Sequence, residues 1–399
     1  KEYRRQRQMC IRDSGGTAVN GALSAADLRA HYQVPSDLTG AGQTIAIVAY
    51  PGDGVNVLDD LNVFSKANEL PLMAQCDAKM TNAPCLNISN STKPANLDSK
   101  TQSVWNTEIA LDTQMVHALA PNANIVLLLL TDLSSVSAIN DSLAGLPISA
   151  VSMSYGSTPN AEYTTTYARN STALLAGIQT GLIYFSSTGD GGAKESLAPN
   201  FAISPYVTAV GGTRVTSVKS LAGDQAWQFS GGGYAGTKAF HPDMPDWQSR
   251  ALSAEQRKAA GNKRAVPDVA AVADFQNSAV AVYCKQAWLM EGGTSASAPV
   301  WAGISALLGE YFSKHGRSLK DFVKSYPDGF NEALYTASAA QGGKPGLIDV
   351  SVGSNTTLTP SDCPTCLAGV GYDFVTGLGS PSVADLAALL IGLPVPVSQ

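Results

Sequence analysis

TIAIVAY, residues 44–50, places five apolar side chains in a row, Ile45 to Ala49, and three of them are β-branched. A run this short and this rich in Ile and Val reads as a strand buried on both faces rather than as a helix. Four runs of the same kind follow, NIVLLLL from Asn124, ISAVSMSY from Ile148, LIYFSST from Leu182 and SAVAVYC from Ser278, and helical patterns alternate with them. That alternation predicts an α/β fold, a doubly wound, mostly parallel central sheet with helices on both faces. In such a sheet the loops at the carboxyl ends of the strands carry the chemistry. No linker or repeat appears after Ser14, so residues 17–399 are read as a single domain, and residues 1–16 as a disordered leader, either non-native or the remnant of a linker.

Composition narrows the class. Only 15% of the 399 residues are charged and the formal net charge is −6. The leader works against that balance: its first fourteen residues hold five Lys/Arg and two Asp/Glu, and without an apolar core they are no signal peptide. The remaining positive charges are dispersed, which argues against a nucleic-acid surface. No run of eighteen apolar residues exists, so no membrane-spanning helix is expected.

The string Gly292-Gly293-Thr294-Ser295-Ala296-Ser297-Ala298-Pro299 runs into VWAGISALLGEYF, an almost uncharged helical pattern beginning at Val300. It sets Ser295 where a loop enters a buried helix, and Pro299 is read in the first helical turn, where a missing N–H costs little. N–H groups at such an entry have no intrahelical partner and lie at the positive end of the helix dipole, so they favour a negative oxygen beside Ser295. A serine needs a base to become a nucleophile. A subtilisin-type hydrolase would supply one from a His-Gly-Thr segment with an early Asp-Thr-Gly or Asp-Ser-Gly, and neither is present.

Another base is available in VWNTEIALDTQMVHAL, residues 104–119. At 100° per residue, Val104, Trp105, Ile109, Met115, Val116 and Leu119 form one stripe, and Glu108 and Asp112 lie within it, four apart. Asn106, Thr107, Thr113, Gln114 and His117 form the opposite, polar face, which points His117 away from Glu108 and makes it an exposed or capping residue rather than the base. Two acids on an apolar stripe are costly to ionise together, so the pair is expected to share a proton, with at least one pKa raised.

Four strings together resemble the sedolisins, serine-carboxyl peptidases with a subtilisin-like fold. They are Trp105 with Glu108–Asp112, the loop Ser187-Thr188-Gly189-Asp190-Gly191-Gly192, the Gly-Thr-Ser string at Ser295, and a C-terminal pair of aspartates. SPYVTAVGGT from Ser204, SGGGY from Ser230 and VPDVAA from Val266 extend the likeness over residues 23–387. The resemblance implies Ser295 as nucleophile, Glu108 as general base and acid, Asp112 as the group that orients Glu108, and Asp190 as an oxyanion-hole donor. It implies an acid-active endopeptidase, or a tripeptidyl exopeptidase of the same chemistry. A catalytically inactive binding protein on the scaffold is disfavoured because all four residues are present. Family members carry a large N-terminal pro-segment, which this chain does not show. A secreted monomer acting on protein or peptide substrates is expected.

The resemblance further implies one structural Ca2+, held by Asp349 and Asp373 with the backbone carbonyls of Val350, Gly369 and Gly371, all hard oxygen ligands. Cys363-Pro364-Thr365-Cys366 interrupts this site. Of the six cysteines, Cys10 lies in the leader, Cys76 and Cys85 flank a short loop and suit a disulfide, Cys363 and Cys366 suit a tight one, and Cys284 is left unpaired. A zinc or redox role for Cys-x-x-Cys lacks a second pair or a thioredoxin-like context, so an oxidising compartment is the better reading.

Overall fold

The computed structural model describes residues 21–52, 56–77, 80, 83–90, 97–156, 163–195, 201–233, 242–340, 346–356 and 363–394. The leader, residues 1–16, lies outside them.

In chain order the elements that build the site are α1 (Ala25–His31), β1 (Thr44–Ala49), α2 (Val57–Ala67), β2 (Ala74–Gln75), β3 (Cys85–Asn90), α3 (Ser99–Leu119), β4 (Asn124–Leu129), α4 (Val136–Leu143), β5 (Ala150–Met153), α5 (Tyr163–Gln179), β6 (Ile183–Ser187), β7 (Thr208–Arg214), β8 (Gln225–Ala226), α6 (Asp246–Ala251), α7 (Ala254–Ala259), β9 (Val269–Val272), β10 (Val280–Cys284), β11 (Ala287–Glu291) and α8 (Thr294–Lys314). The central sheet has nine strands in the order β2-β3-β4-β1-β5-β6-β7-β8, with β9 also paired to β7. Every pairing is parallel except that of β7 with β8. This is the doubly wound, mostly parallel sheet expected from the apolar runs.

Alternation along each strand explains why both faces are covered. Ile45, Ile47 and Ala49 of β1 point into a core shared with α1, α2, α3 and α8, whereas Ala46 and Val48 point into a second core with α4 and α5. Ile125 and Leu127 of β4 join the first core, and Val126 and Leu128 the second. Side chains of successive residues leave a strand on opposite faces, so a strand sandwiched between helices has to be apolar at every position. The chain winds away from β1 in both directions, and β1 pairs with both β4 and β5.

One expected strand of this sheet is elsewhere. SAVAVYC forms β10, which pairs antiparallel with β11 in a separate two-stranded hairpin. Lys285 and Gln286 at its turn both adopt positive φ, 50° and 62°. That is the signature of a tight two-residue hairpin turn, which returns the chain along itself instead of crossing over to the sheet. The Lys-Gln pair lacks the glycine or asparagine that usually announces such a turn. Conversely, β7 and β9 belong to the sheet but are built mostly from small residues, TAVGGTR and VAAV, too weakly apolar to stand out as runs.

α3 and α8 lie against each other on the first face. Gly303 makes the approach possible: a Cβ there would meet the Leu119 Cβ at 2.9 Å and the Val116 carbonyl at 3.2 Å. α8 is further tied to β9, since the Trp301 indole donates to the Ala270 carbonyl at 3.0 Å and the Ser297 hydroxyl contacts the Ala271 and Val272 carbonyls at 3.0 and 2.9 Å.

Candidate active site

α8 begins six residues before the apolar run suggested. Gly293 is its N-cap at φ 81°, which places Thr294 and Ser295 at the first two helical positions. The glycine offers no side-chain cap; Asp190, on the loop after β6, does that work from outside. Its Oδ1 accepts from the Thr294 N–H at 2.8 Å and the Thr294 hydroxyl at 2.9 Å, and that hydroxyl in turn accepts from the Gly189 N–H at 3.0 Å. A Cβ on residue 293 would stand 2.6 Å from Asp190 Oδ2, so both the left-handed backbone and the space require glycine. The Ser295 N–H stands in the first turn of the helix, where no carbonyl lies four residues back within the helix to accept it.

Pro299 is inside α8, in its second turn, and not in the first as expected. A proline there removes the N–H that would bond the carbonyl four residues back, which is that of Ser295. Ser154, just past the carboxyl end of β5, fills the gap: its hydroxyl is 3.2 Å from the Ser295 carbonyl and 2.8 Å from Asp112 Oδ1. The Ser295 hydroxyl lies 3.5 Å from the Ser154 carbonyl. One buried hydroxyl thus joins the acid-bearing helix to the serine-bearing one.

Glu108 and Asp112 are 5% and 1% exposed and Ser295 8%, which keeps both acids out of bulk solvent. The opposite face of α3 is a correction. Every residue from Asn106 to Leu119 is buried, because the β10–β11 hairpin and α2 cover the side that was expected to face water. Its polar side chains clamp neighbouring backbone. Gln114 holds both backbone groups of Tyr283, donating at 2.6 Å and accepting at 2.8 Å, and Thr113 donates to the Ile109 carbonyl at 2.7 Å. His117 is fully buried, not exposed; Nε2 donates to the Pro71 carbonyl at 3.0 Å, and burial pushes its pKa down to about 4, so the ring is neutral.

No described histidine stands in for the base. His31 pairs with Asp224 at 2.9 Å, and His315 caps the far end of α8, twenty residues and about 30 Å from Ser295. His241 lies outside the described residues. Two residues beside the site were missed in the sequence. Ser154 was part of the quoted run ISAVSMSY, and a polar residue one step past a buried strand next to the central β1 is the signal that marks it. Glu291, 5% exposed, is the acid that ends the apolar β11 just before the Gly-Gly turn, and its burial shows only once the hairpin is seen to pack on α3.

The C-terminal pair is also brought together. Asp349 Oδ2 accepts from the Gly371 N–H at 2.9 Å, and Asp373 Oδ2 from the Gly369 N–H at 3.1 Å. Asp373 Oδ1 accepts from the N–H groups of Val375 and Thr376 at 2.8 and 2.9 Å, while the Thr376 hydroxyl reaches the Val350 carbonyl at 3.3 Å. Burial raises the pKa of Asp373 to about 6 against these bonds, and raises that of Asp349 too. Among the described residues no three His, Cys, Asp or Glu side chains gather as a metal cluster, so any ion here would rest on two carboxylates and backbone oxygens. Cys76–Cys85 and Cys363–Cys366 are disulfides, and Cys284 is a buried free thiol.

No protein-family model matches the chain. Known proteins do. The chain is 28% identical over 391 residues to kumamolisin of Bacillus sp. (strain MN-32), covering 94% of this chain and 65% of that protein. It is 30% identical over 277 residues to tripeptidyl-peptidase 1 of Rattus norvegicus, covering 66% of this chain and 45% of that one. Among solved structures, Pseudomonas sedolisin, a serine-carboxyl proteinase complexed with two molecules of pseudo-iodotyrostatin, has the same fold with a TM-score of 0.73 at 22% identity, over 94% of this chain and 99% of that one. In sequence the chain resembles the sedolisin family, and it has the sedolisin fold. It spans about two thirds of kumamolisin and less than half of tripeptidyl-peptidase 1. Within the sedolisin fold, Ser154, Asp190 and Ser295 stand together at the carboxyl edge of β5 and β6, where an open α/β sheet collects its ligands.

Proposed function

We propose that this chain is an acid-active serine-carboxyl peptidase. The observation that carries the reading is the continuous path from Asp112 through the Ser154 hydroxyl to the peptide of Ser295, with Asp190 capping the same helix start. Glu108, one helical turn before Asp112 on the buried face, takes the proton of the Ser295 hydroxyl as that oxygen attacks the scissile carbonyl, and returns it to the leaving amine. Asp112 orients Glu108. The Ser295 N–H and a protonated Asp190 donate to the oxyanion; a carboxyl donates only when it carries its proton, which ties the reaction to acid medium. A carboxylate still accepts a proton there, where a histidine would already be charged.

The resemblance drawn from the sequence motifs favours an endopeptidase, and the match to tripeptidyl-peptidase 1 supports the alternative that releases tripeptides. Peptides with free and with acetylated amino termini separate the two: an exopeptidase cleaves only the former. Secretion into an oxidising compartment is supported by the two disulfides, and the protein is taken to act as a monomer on protein or peptide substrates.

The Asp349–Asp373 loop fits one Ca2+. Its donors are all hard oxygens, two carboxylates with the carbonyls of Val350, Gly369 and Gly371, and Asp373 is buried with its charge opposed by desolvation, which a cation would offset. The ion would brace the C-terminal loop and take no part in the proton transfers.

Incubation with denatured protein from pH 3 to 8 tests the reading. Wild type is expected to cleave with a maximum well below neutrality, and Ser295→Ala and Glu108→Gln to lose at least about a thousandfold in kcat. Undiminished cleavage by either variant, or a maximum at alkaline pH, overturns it.

A further inference from the structure

Glu291 ends β11, four residues before Ser295, and the hairpin register sets it opposite Val280. Its strand neighbours on that face are buried apolar groups: Val280, Val282 and Leu289 all belong to the main core. A carboxyl in such a place is costly unless something is gained, and its Oε1 is buried with no hydrogen-bond partner among the described residues. The hairpin is fixed onto α3 by Gln114 at Tyr283, and Cys284, which shares the face of Glu291, is hydrogen-bonded to the side chain of Thr107, the residue before Glu108.

We propose that Glu291 is a positioning residue for Glu108, a third buried carboxyl set against the acid pair from the hairpin, which stays protonated while the site works and closes the active range from above by ionising. The proposal rests on Glu108 being the base. Burial raises the Glu291 pKa to about 7, and the charge of Glu108 adds to the rise. The two carboxyls are therefore expected to titrate as a coupled pair, the second proton being held to higher pH than the first. With one proton between them, Glu108 faces a neutral neighbour and is free to accept from Ser295. With none, two like charges share a dry pocket, and Glu108 recovers a proton or is displaced.

Other charged groups around Glu291 do not explain its titration. Cys284, farther along the hairpin, is itself a thiol pushed up to about 12 by burial, then by Asp60 of α2 and by Glu291. The Lys285 N–H donates to Asp60 at 3.0 Å. Asp274, from the loop packed on Gly292, is engaged by the N–H groups of Gln276 and Asn277 and by the Asn277 amide.

The test measures kcat/KM and Tm against pH for wild type, Glu291→Gln, Glu291→Leu and Glu108→Gln. Glu291→Leu guards against an amide that folds poorly in a dry site. In wild type, Tm should fall between pH 5 and 7.5; both Glu291 variants should remove much of that fall, and Glu108→Gln should move it to lower pH. The ratio of kcat/KM at pH 7 to that at pH 5 should rise at least threefold in the Glu291 variants. Unchanged Tm curves in the Glu291 variants, or a wild-type transition that Glu108→Gln leaves in place, overturn the proposal. Coupling in Tm without any hydrolysis by wild type would instead uphold the Glu291–Glu108 pair and sink the peptidase reading.

Discussion

Ser154 and Asp190 differ in what their removal should cost. The Ser154 hydroxyl is engaged with Asp112 and the Ser295 carbonyl, so Ser154→Ala should lower kcat by about ten- to a hundredfold, the worth of one hydrogen bond to a charged group, with KM little changed. An equal rise in KM would place the residue in substrate binding instead. Asp190 offers a sharper comparison. An asparagine retains an acceptor for the Thr294 N–H and carries a donor at every pH, whereas an alanine carries neither. Asp190→Ala should lose about 3 kcal/mol of transition-state stabilisation, roughly a hundredfold or more in kcat, and Asp190→Asn should keep more activity at pH 7 than wild type does, relative to pH 4. Identical profiles for the two variants would remove Asp190 from the oxyanion site. Of these residues the sequence offered Asp190 and Ser295 through short motifs, and Ser154 through nothing but its position after a strand. A motif reports the residues that chemistry needs by type; a bridging hydroxyl is needed by place, and place appears only with the fold.

At the level of elements, the α3–α8 contact shows what periodicity can and cannot reveal. It placed Glu108 and Asp112 on one buried face of a helix, and the structure agrees. It also assigned the other face to water, because a stripe of Asn, Thr, Gln and His looks the same whether it meets solvent or the backbone of a hairpin. The sheet followed a similar rule. Long Ile- and Val-rich runs were legible as strands, but β7 and β9 were not, and β10 was assigned to the wrong sheet because its turn residues, Lys285 and Gln286, are unusual for a tight hairpin. Close packing of α3 on α8 gives a direct check. In Gly303→Ala the new methyl group meets the Leu119 Cβ, and overpacking of this kind costs about 1–3 kcal/mol, seen as a lower urea midpoint with an unchanged m-value. A midpoint equal to wild type would mean that the two helices yield more readily than the contact implies.

Across the whole molecule, burial of acids sets how stability depends on pH. Glu291 in the folded chain has a pKa near 7 and Asp373 one near 6, both above the ordinary carboxylate values. The folded state therefore binds more protons than the unfolded one in this window, and the stability held below about pH 4.5 declines as pH rises through 6 and 7. Tm should be higher near pH 4.5 than near pH 7.5 in protein freed of calcium by dialysis. Added Ca2+ should restore more at pH 7.5 than at pH 4.5, because the ion and a proton compete for Asp373. A calcium effect that is absent, or independent of pH, would remove the ion from this loop.

The proline in the second turn of α8 has one more implication. A serine hydroxyl owns a single hydrogen, so Ser154 cannot satisfy Asp112 and the orphaned carbonyl of Ser295 in the same instant. When Asp112 is anionic it claims that hydrogen; when it is protonated it can give its own to Ser154 and let the serine turn to the carbonyl. Pro299 thereby makes the peptide that follows Ser295 sense the occupancy of an acid on another helix. Pro299→Ala, by handing the carbonyl an amide of its own, should cut that connection and leave the serine indifferent to its neighbour's charge.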